Sequence, residues 1–221
     1  MRCRNSCRSG LAATVITVLG ALFVWPAAGT AQLLPVPLPL PDPTPIVSGP
    51  VGNLLGATTV LGGTGTLVAG TTNALQASSA TGGVASLLTG EALHAATIGY
   101  PDQIDSEASL AALALNVAGT SIGADFVMSR ATAAVASGVA GASNIDGLLV
   151  NGMPVPVTGA PNQTIGIPGG TLVLNQQQTL PDGTIVVNAL RAIVSGVADV
   201  TIASSMAGWS GGSAKAVNAS Y

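Results

Sequence analysis

The sequence predicts an all-β fold: a β-sandwich of about seven to eight mostly antiparallel strands, preceded by a proline-rich linker. Three observations carry this. Short apolar runs recur from residue 84 onward with turn chemistry between them. Two of the junctions, Asn151-Gly152 and Pro181-Asp182-Gly183, are hairpin signals. Charged residues make up only 7% of the chain, so its surface must be polar through Ser, Thr, Asn and Gln. A β-solenoid is the alternative, but it needs a repeat period that the sequence does not show.

Residues 1–31 have the three parts of a secretory signal peptide. Arg2, Arg4 and Arg8 form a basic start, Leu11 to Trp25 is apolar, and small residues follow. The apolar run is shorter than the ~20 residues of a membrane span. Gly29 and Ala31 suit cleavage between Ala31 and Gln32. Cleavage would remove Cys3 and Cys7, leaving no thiol or disulfide chemistry. Three basic residues, Arg130, Arg191 and Lys215, would then face nine carboxylates, a net charge of −6. That excludes nucleic acid, which needs clustered Lys and Arg. No transmembrane anchor is expected in the mature chain.

Residues 32–83 read as a low-complexity linker. Prolines at every second position from Pro35 to Pro45 fix φ and remove backbone donors, which predicts polyproline II. This makes a stiff spacer; a ligand for an aromatic-lined groove is the less economical reading. Residues 51–83 show neither helical nor strand period. Linker, marginal helix and early strand all remain open there.

The β domain is expected over residues 84–208. Val84 to Tyr100 gives a strand ending in a Tyr100-Pro101-Asp102 turn. Ser106 to Val117 and Ser121 to Val135 form a pair joined at Ala118-Gly119-Thr120. The alanines of Ala108 to Leu115 fit helix or strand; the neighbouring pattern favours strand. A loop follows from Ser137 to Ser143. Asn151-Gly152 suits a type I′ turn, which puts Val150 opposite Met153 and Leu148 opposite Val155, with an apolar face. Pro154 and Pro156 then lack the donors that would face outward, so that strand should be a sheet edge. Around Pro181-Asp182-Gly183, a type I turn with a G1 bulge sets Leu174 opposite Leu190, Leu172 opposite Ala192, and Gln176 opposite Asn188 on the same face. Val200 and Ile202 alternate with Asp199, Thr201, Ala203 and Ser205, predicting a half-exposed strand. Residues 209–221 read as a flexible tail.

The pieces LALNVAGTSIGADFVMSRA, IDGLLVNGMPVPVTGAPNQTIGIPGGTLVLNQQQ and TIVVNALRAIVSGVADVTIASSMAG, in that order, resemble the bacterial choice-of-anchor P family. The resemblance covers about residues 84–208. It implies a secreted or surface protein with a β-rich region, and it brings no catalytic residues.

Catalytic chemistry is sparse. His94 is the one histidine, so a histidine-rich metal site is excluded. No G-x-S-x-G elbow surrounds any serine, and no P-loop is present. His94 reads as a strand or surface residue. Asp102, Asp105 and Glu107 fall close together, in what reads as one solvated acidic loop; a Ca²⁺ site there would lack the glycine of an EF-hand loop. Glycosidase chemistry would need carboxylates across a cleft. Only Tyr100, Phe126, Trp209 and Tyr221 remain as aromatics beyond the leader. The sequence therefore points to a secreted or cell-envelope-associated protein without enzymatic activity or cofactor. Its role would be structural or adhesive, with cell-envelope or surface components as partners. A ligand-binding module for glycan or Ca²⁺ is the alternative, and a carboxylate-only enzyme the weakest reading.

Overall fold

A computed structural model of the chain describes residues 52–54, 57–59, 61–68, 72–210 and 213–220. The leader with its Ala31–Gln32 junction and the proline run at 35–45 lie outside the described residues. Among the described residues fifteen strands form: β1 (Gly52–Leu54), β2 (Ala57–Thr59), β3 (Thr66–Val68), β4 (Asn73–Val84), β5 (Leu88–Gly99), β6 (Gln103–Val117), β7 (Thr120–Ala134), β8 (Gly138–Asp146), β9 (Leu149–Val150), β10 (Met153–Pro154), β11 (Gln163–Ile167), β12 (Gly170–Thr179), β13 (Ile185–Val194), β14 (Ala198–Ser210) and β15 (Ser213–Ser220).

They make two sheets that pack as a sandwich. The eight-stranded sheet runs β11-β12-β13-β14, and the far edge of β14 is shared by β1, which leads to β2, and by β15, which leads to β3. The seven-stranded sheet runs β4-β5-β6-β7, with β8 and β9 sharing the far edge of β7 and β10 outside β9. Neighbouring strands are antiparallel throughout, which is a sandwich and not a solenoid.

The turn arithmetic holds. Asn151 and Gly152 have φ of 50° and 74°, the two positive values that a type I′ turn needs, and Val150 pairs with Met153. The Val155 amide donates to the Leu148 carbonyl. The proline strand β10 is the sheet edge. Met153 is 68% exposed, however, so the hairpin buries only Leu148 fully, with Val150 and Val155 packed against the core. At Gly183, φ is 82°, the Leu180 amide donates to the Thr184 carbonyl, and all the expected β12–β13 pairs form.

Five expectations change. The described residues within 52–83, placed in the linker with marginal helix and early strand left open, supply β1 to β3 and nearly all of β4. Residues 138–143, read as loop, begin β8. Within 209–221, read as tail, residues 209–210 extend β14 and residues 213–220 form β15. Strand β14, expected to be half-exposed, is central: it is buried continuously from Val200 to Gly208, because it is paired on both sides.

The fifth correction concerns alternation. In β12 the inward side chains are Leu172 and Leu174, then Asn175; in β13 they are Ala189 and Leu190 in succession; in β14, Ile202 and Ala203. Asn175 and Ala203 sit at φ of 48° and 52°, a left-handed conformation inside a strand. Each such residue turns the following side chains to the opposite face. Gln176 therefore leaves the face of Leu174 and lies outside, still bonded to Asn188 at 2.8 Å. The seven-stranded sheet inverts too, with the opposite sense. Ala92 and Ala112, both at φ 48°, and the pair Asp125-Phe126 interrupt β5, β6 and β7. There two successive residues fall outside the core, as in Glu91-Ala92. The eight-stranded sheet thus gains an inward residue per strand along this row, and the seven-stranded sheet loses one.

The core has two clusters. One holds Leu93, Leu110, Leu113, Leu115, Leu174, Leu190 and Ile202 among others; the smaller holds Leu67, Ile104, Ala131, Ala133, Ile185, Val187 and Ala207. Where strands pass from one to the other, the core-facing residue is often a hydroxyl. Thr97 follows Ala95, Ser106 lies between Ile104 and Ala108, Ser129 between Val127 and Ala131, and Ser205 between Ala203 and Ala207. The Thr97 hydroxyl is 2.9 Å from that of Thr64. The hydroxyls of Ser106, Ser129 and Ser205 have no hydrogen-bond partner among the described residues. A buried hydroxyl left unpaired costs about 1–3 kcal/mol. Ser205→Ala is expected to leave stability unchanged or raise it by about 1 kcal/mol in equilibrium urea unfolding. A loss of that size would show instead that the hydroxyl is satisfied, for example by an internal water.

Candidate functional site

The densest group of chemically capable side chains lies on the outer face of the seven-stranded sheet. It is built by strand alternation. Past Ala92, even-numbered residues of β5 point out: His94, Ala96 and Ile98. On β6, before Ala112, the odd-numbered Gln103, Asp105 and Glu107 point out; on β7, Arg130 and Thr132 do. Register then aligns them in rows. Ala96, Glu107 and Arg130 form one; Ile98, Asp105 and Thr132 the next. The Tyr100-Pro101-Asp102-Gln103 turn closes one end, with the Tyr100 amide bonded to the Gln103 carbonyl.

Together His94, Ile98, Tyr100, Asp105, Glu107 and Arg130 line an open depression of about 290 Å³. Arg130 is 3.0 Å from Glu107. Asp105 accepts hydrogen bonds from Thr132 at 2.7 Å and from Gln103 at 2.8 Å. The His94 ring nitrogen Nε2 is 2.8 Å from Gln76 Nε2 on β4, so that ring nitrogen accepts. Tyr100 and Ile98 are 42% and 37% exposed. An ion pair this exposed contributes about 0–1 kcal/mol, so Arg130 and Glu107 can exchange each other for a ligand at small cost.

Sequence reasoning placed Asp102, Asp105 and Glu107 in one loop. Only Asp102 is in the turn; Asp105 and Glu107 are on β6, held apart from it by strand geometry. His94 is a strand residue, as read. The contribution of Arg130 was missed. The signal available for it was register: with the β6–β7 hairpin at Ala118-Gly119, counting back sets Glu107 opposite Arg130.

A second polar group occupies the outer face of the eight-stranded sheet. Arg191 grips Asp199 through two hydrogen bonds of 2.6 and 2.8 Å. Gln176, Asn188 and Ser204 continue it. The side-chain hydrogen bond to Asp199 raises the Arg191 guanidinium above its ordinary value, against the desolvation that lowers it; the charge of Asp199 acts in the same direction as the bond. This bidentate pair knits β13 to β14 and spends both of its charges internally, so we assign it to the scaffold.

The segment between the sheets, residues 155–162, is held by amides of the PNQ run. Gln163 accepts from the Thr158 amide and hydroxyl and donates to the Pro156 carbonyl; Asn162 accepts from the Gln177 amide; Asn175 donates to the Gly159 carbonyl. These residues anchor the crossing from one sheet to the other.

No group of three or more His, Cys, Asp or Glu among the described residues is placed to hold a metal ion. No helix among them is long and apolar enough to cross a membrane. Comparison of the chain with protein-family models, with curated proteins and with solved structures gives no match.

Proposed function

We propose that this is a secreted or cell-envelope-associated β-sandwich of the choice-of-anchor P type, with a non-catalytic structural or adhesive role. Its contact surface is the outer face of the seven-stranded sheet. One observation carries the reading: the depression at Tyr100 gathers an exposed aromatic ring, a cation, two carboxylates and an imidazole on neighbouring strands and their connecting turn, open to solvent. Catalysis needs groups that are desolvated and aimed at a reacting atom. Here the carboxylates are already engaged with Arg130, Thr132 and Gln103 on an open surface. The signal-peptide pattern and the low charge fit a protein that works outside the cell.

A glycan-binding module is the second reading, favoured by Tyr100. An exposed ring flanked by Asp105, Glu107, Arg130 and Gln103 offers an apolar platform with donors and acceptors at its rim. Binding of the full chain to cell-envelope fractions and to an immobilised glycan panel tests both readings. Tyr100→Ala and Arg130→Ala should each weaken binding at least about tenfold, the range of a contact hot spot, while thermal stability changes little. Binding that survives both substitutions would move the contact surface elsewhere. Turnover on a hydrolase panel, abolished by a single substitution, would overturn the non-catalytic role.

A further inference from the structure

We infer that strand β4 is a self-association edge, through which two copies of this chain pair antiparallel about a two-fold axis. The strand edges differ in how they are protected. Natural sheets blunt their edges with short strands, prolines, charges or covering groups. Edge strand β10 has two residues and ends at Pro154; β11 has five, between Pro161 and Pro168; β2 and β3 have three each. On β8, the Gly141 carbonyl accepts a hydrogen bond from Gln177 of the facing sheet. On strand β4 the Thr81 carbonyl accepts a hydrogen bond from the Ser79 hydroxyl at 2.7 Å, but the strand is neither short nor broken by proline or charge. It runs for twelve residues, NALQASSATGGV, without a charge or a proline. It pairs as a strand with β5 and with no other described strand. Most of its residues are exposed.

A second copy is the occupant that these features fit. An isologous antiparallel contact matches a twelve-residue edge to one of equal length, about 40 Å of ladder. No register sets like charges opposite each other, and the small Ala, Ser and Gly side chains create no steric conflict across the axis. Pairing would also place two Tyr100 depressions on one continuous sheet surface, since β5, which carries His94 and Ile98, adjoins β4. The inference does not depend on what that depression binds.

Sedimentation velocity of the purified protein over a concentration series should show a reversible dimer. Ser78, exposed near the strand midpoint, lies close to the axis. Ser78→Lys and Ser78→Glu should each raise the dissociation constant at least about tenfold, and mixing the two variants should restore association. Ala140→Lys, on the edge strand β8, should leave the dimer unchanged. A monomer at every concentration, a dimer indifferent to Ser78→Lys and Ser78→Glu, or one lost in Ala140→Lys would each overturn the inference. Recovery on mixing shows that both variants are folded, so loss of association in either alone reads on the edge itself.

Discussion

Ala203→Val is expected to destabilise the protein by about 3 kcal/mol. Two costs add. Ala203 is fully buried and holds φ at 52° in the middle of the central strand. Alanine already bears the left-handed cost, so what counts in the difference is that a β-branched side chain fits this conformation worse. Extra methyl groups at a packed position add about 1–3 kcal/mol. For a domain of this size, about 3 kcal/mol lowers the melting temperature by about 6–12 °C. Ala112→Gly is the matched control. Ala112 is exposed, at φ 48°. Glycine removes the left-handed cost there, offset in part by the greater freedom of the unfolded chain, for a gain of about 0–1 kcal/mol. Chemical unfolding of the two variants beside the parent measures both signs. An Ala203→Val protein as stable as the parent would show that the strand does not invert at Ala203.

Leu190→Ala should cost about the same, through a different mechanism. Leu190 is paired across the sheet with Leu174 on one side and Ile202 on the other, and all three are completely buried. Neighbours on a sheet cannot close into the space as helices can slide, because the ladder fixes strand spacing at about 4.8 Å. The substitution removes three carbons and leaves a cavity, for a loss of about 2–5 kcal/mol. Unfolding midpoints with unchanged slope would place the effect in the native state. A loss below about 1 kcal/mol would mean that the facing sheet collapses onto the site.

The turns were legible in the sequence because their chemistry is local. Asn151-Gly152 and Pro181-Asp182-Gly183 state their own dihedral angles, and register follows by counting. The inversions were not legible, and they explain what the sequence left ambiguous. Along β6 the inward residues are Ala108 and Leu110, then Leu113 and Leu115. The step of three from Leu110 to Leu113 breaks the period of two and imitates a helical spacing, which is why Ala108 to Leu115 reads as either. Ala112 carries no sign of its left-handed backbone, since glycine or asparagine is the usual marker. Strand β14 misled for a related reason: alternation of polar and apolar residues says nothing of whether neighbours pair on both sides. Of the strands within 52–83, β1 and β3 pair with strands distant in sequence, β14 and β15, so local composition was uninformative for them. Of the site, the residue types were visible and their assembly was not. Asp105, Glu107, Arg130 and Tyr100 meet only after two registers and one inversion have been fixed.

The inverted row on the seven-stranded sheet has a consequence for what its outer face can hold. Glu91-Ala92, Ala111-Ala112 and Asp125-Phe126 each set successive residues outside the core, where the rest of the face offers every second one. Side by side on β5, β6 and β7 they form a crossbar over the strands. From Asp105 to Ala111 along β6 is six residues, about 20 Å, with the Glu107–Arg130 ion pair standing on it. The crossbar thus ends the run of alternating outward residues that begins at the Tyr100 turn, and separates the Tyr100 depression from the Ala118-Gly119 end of the same face.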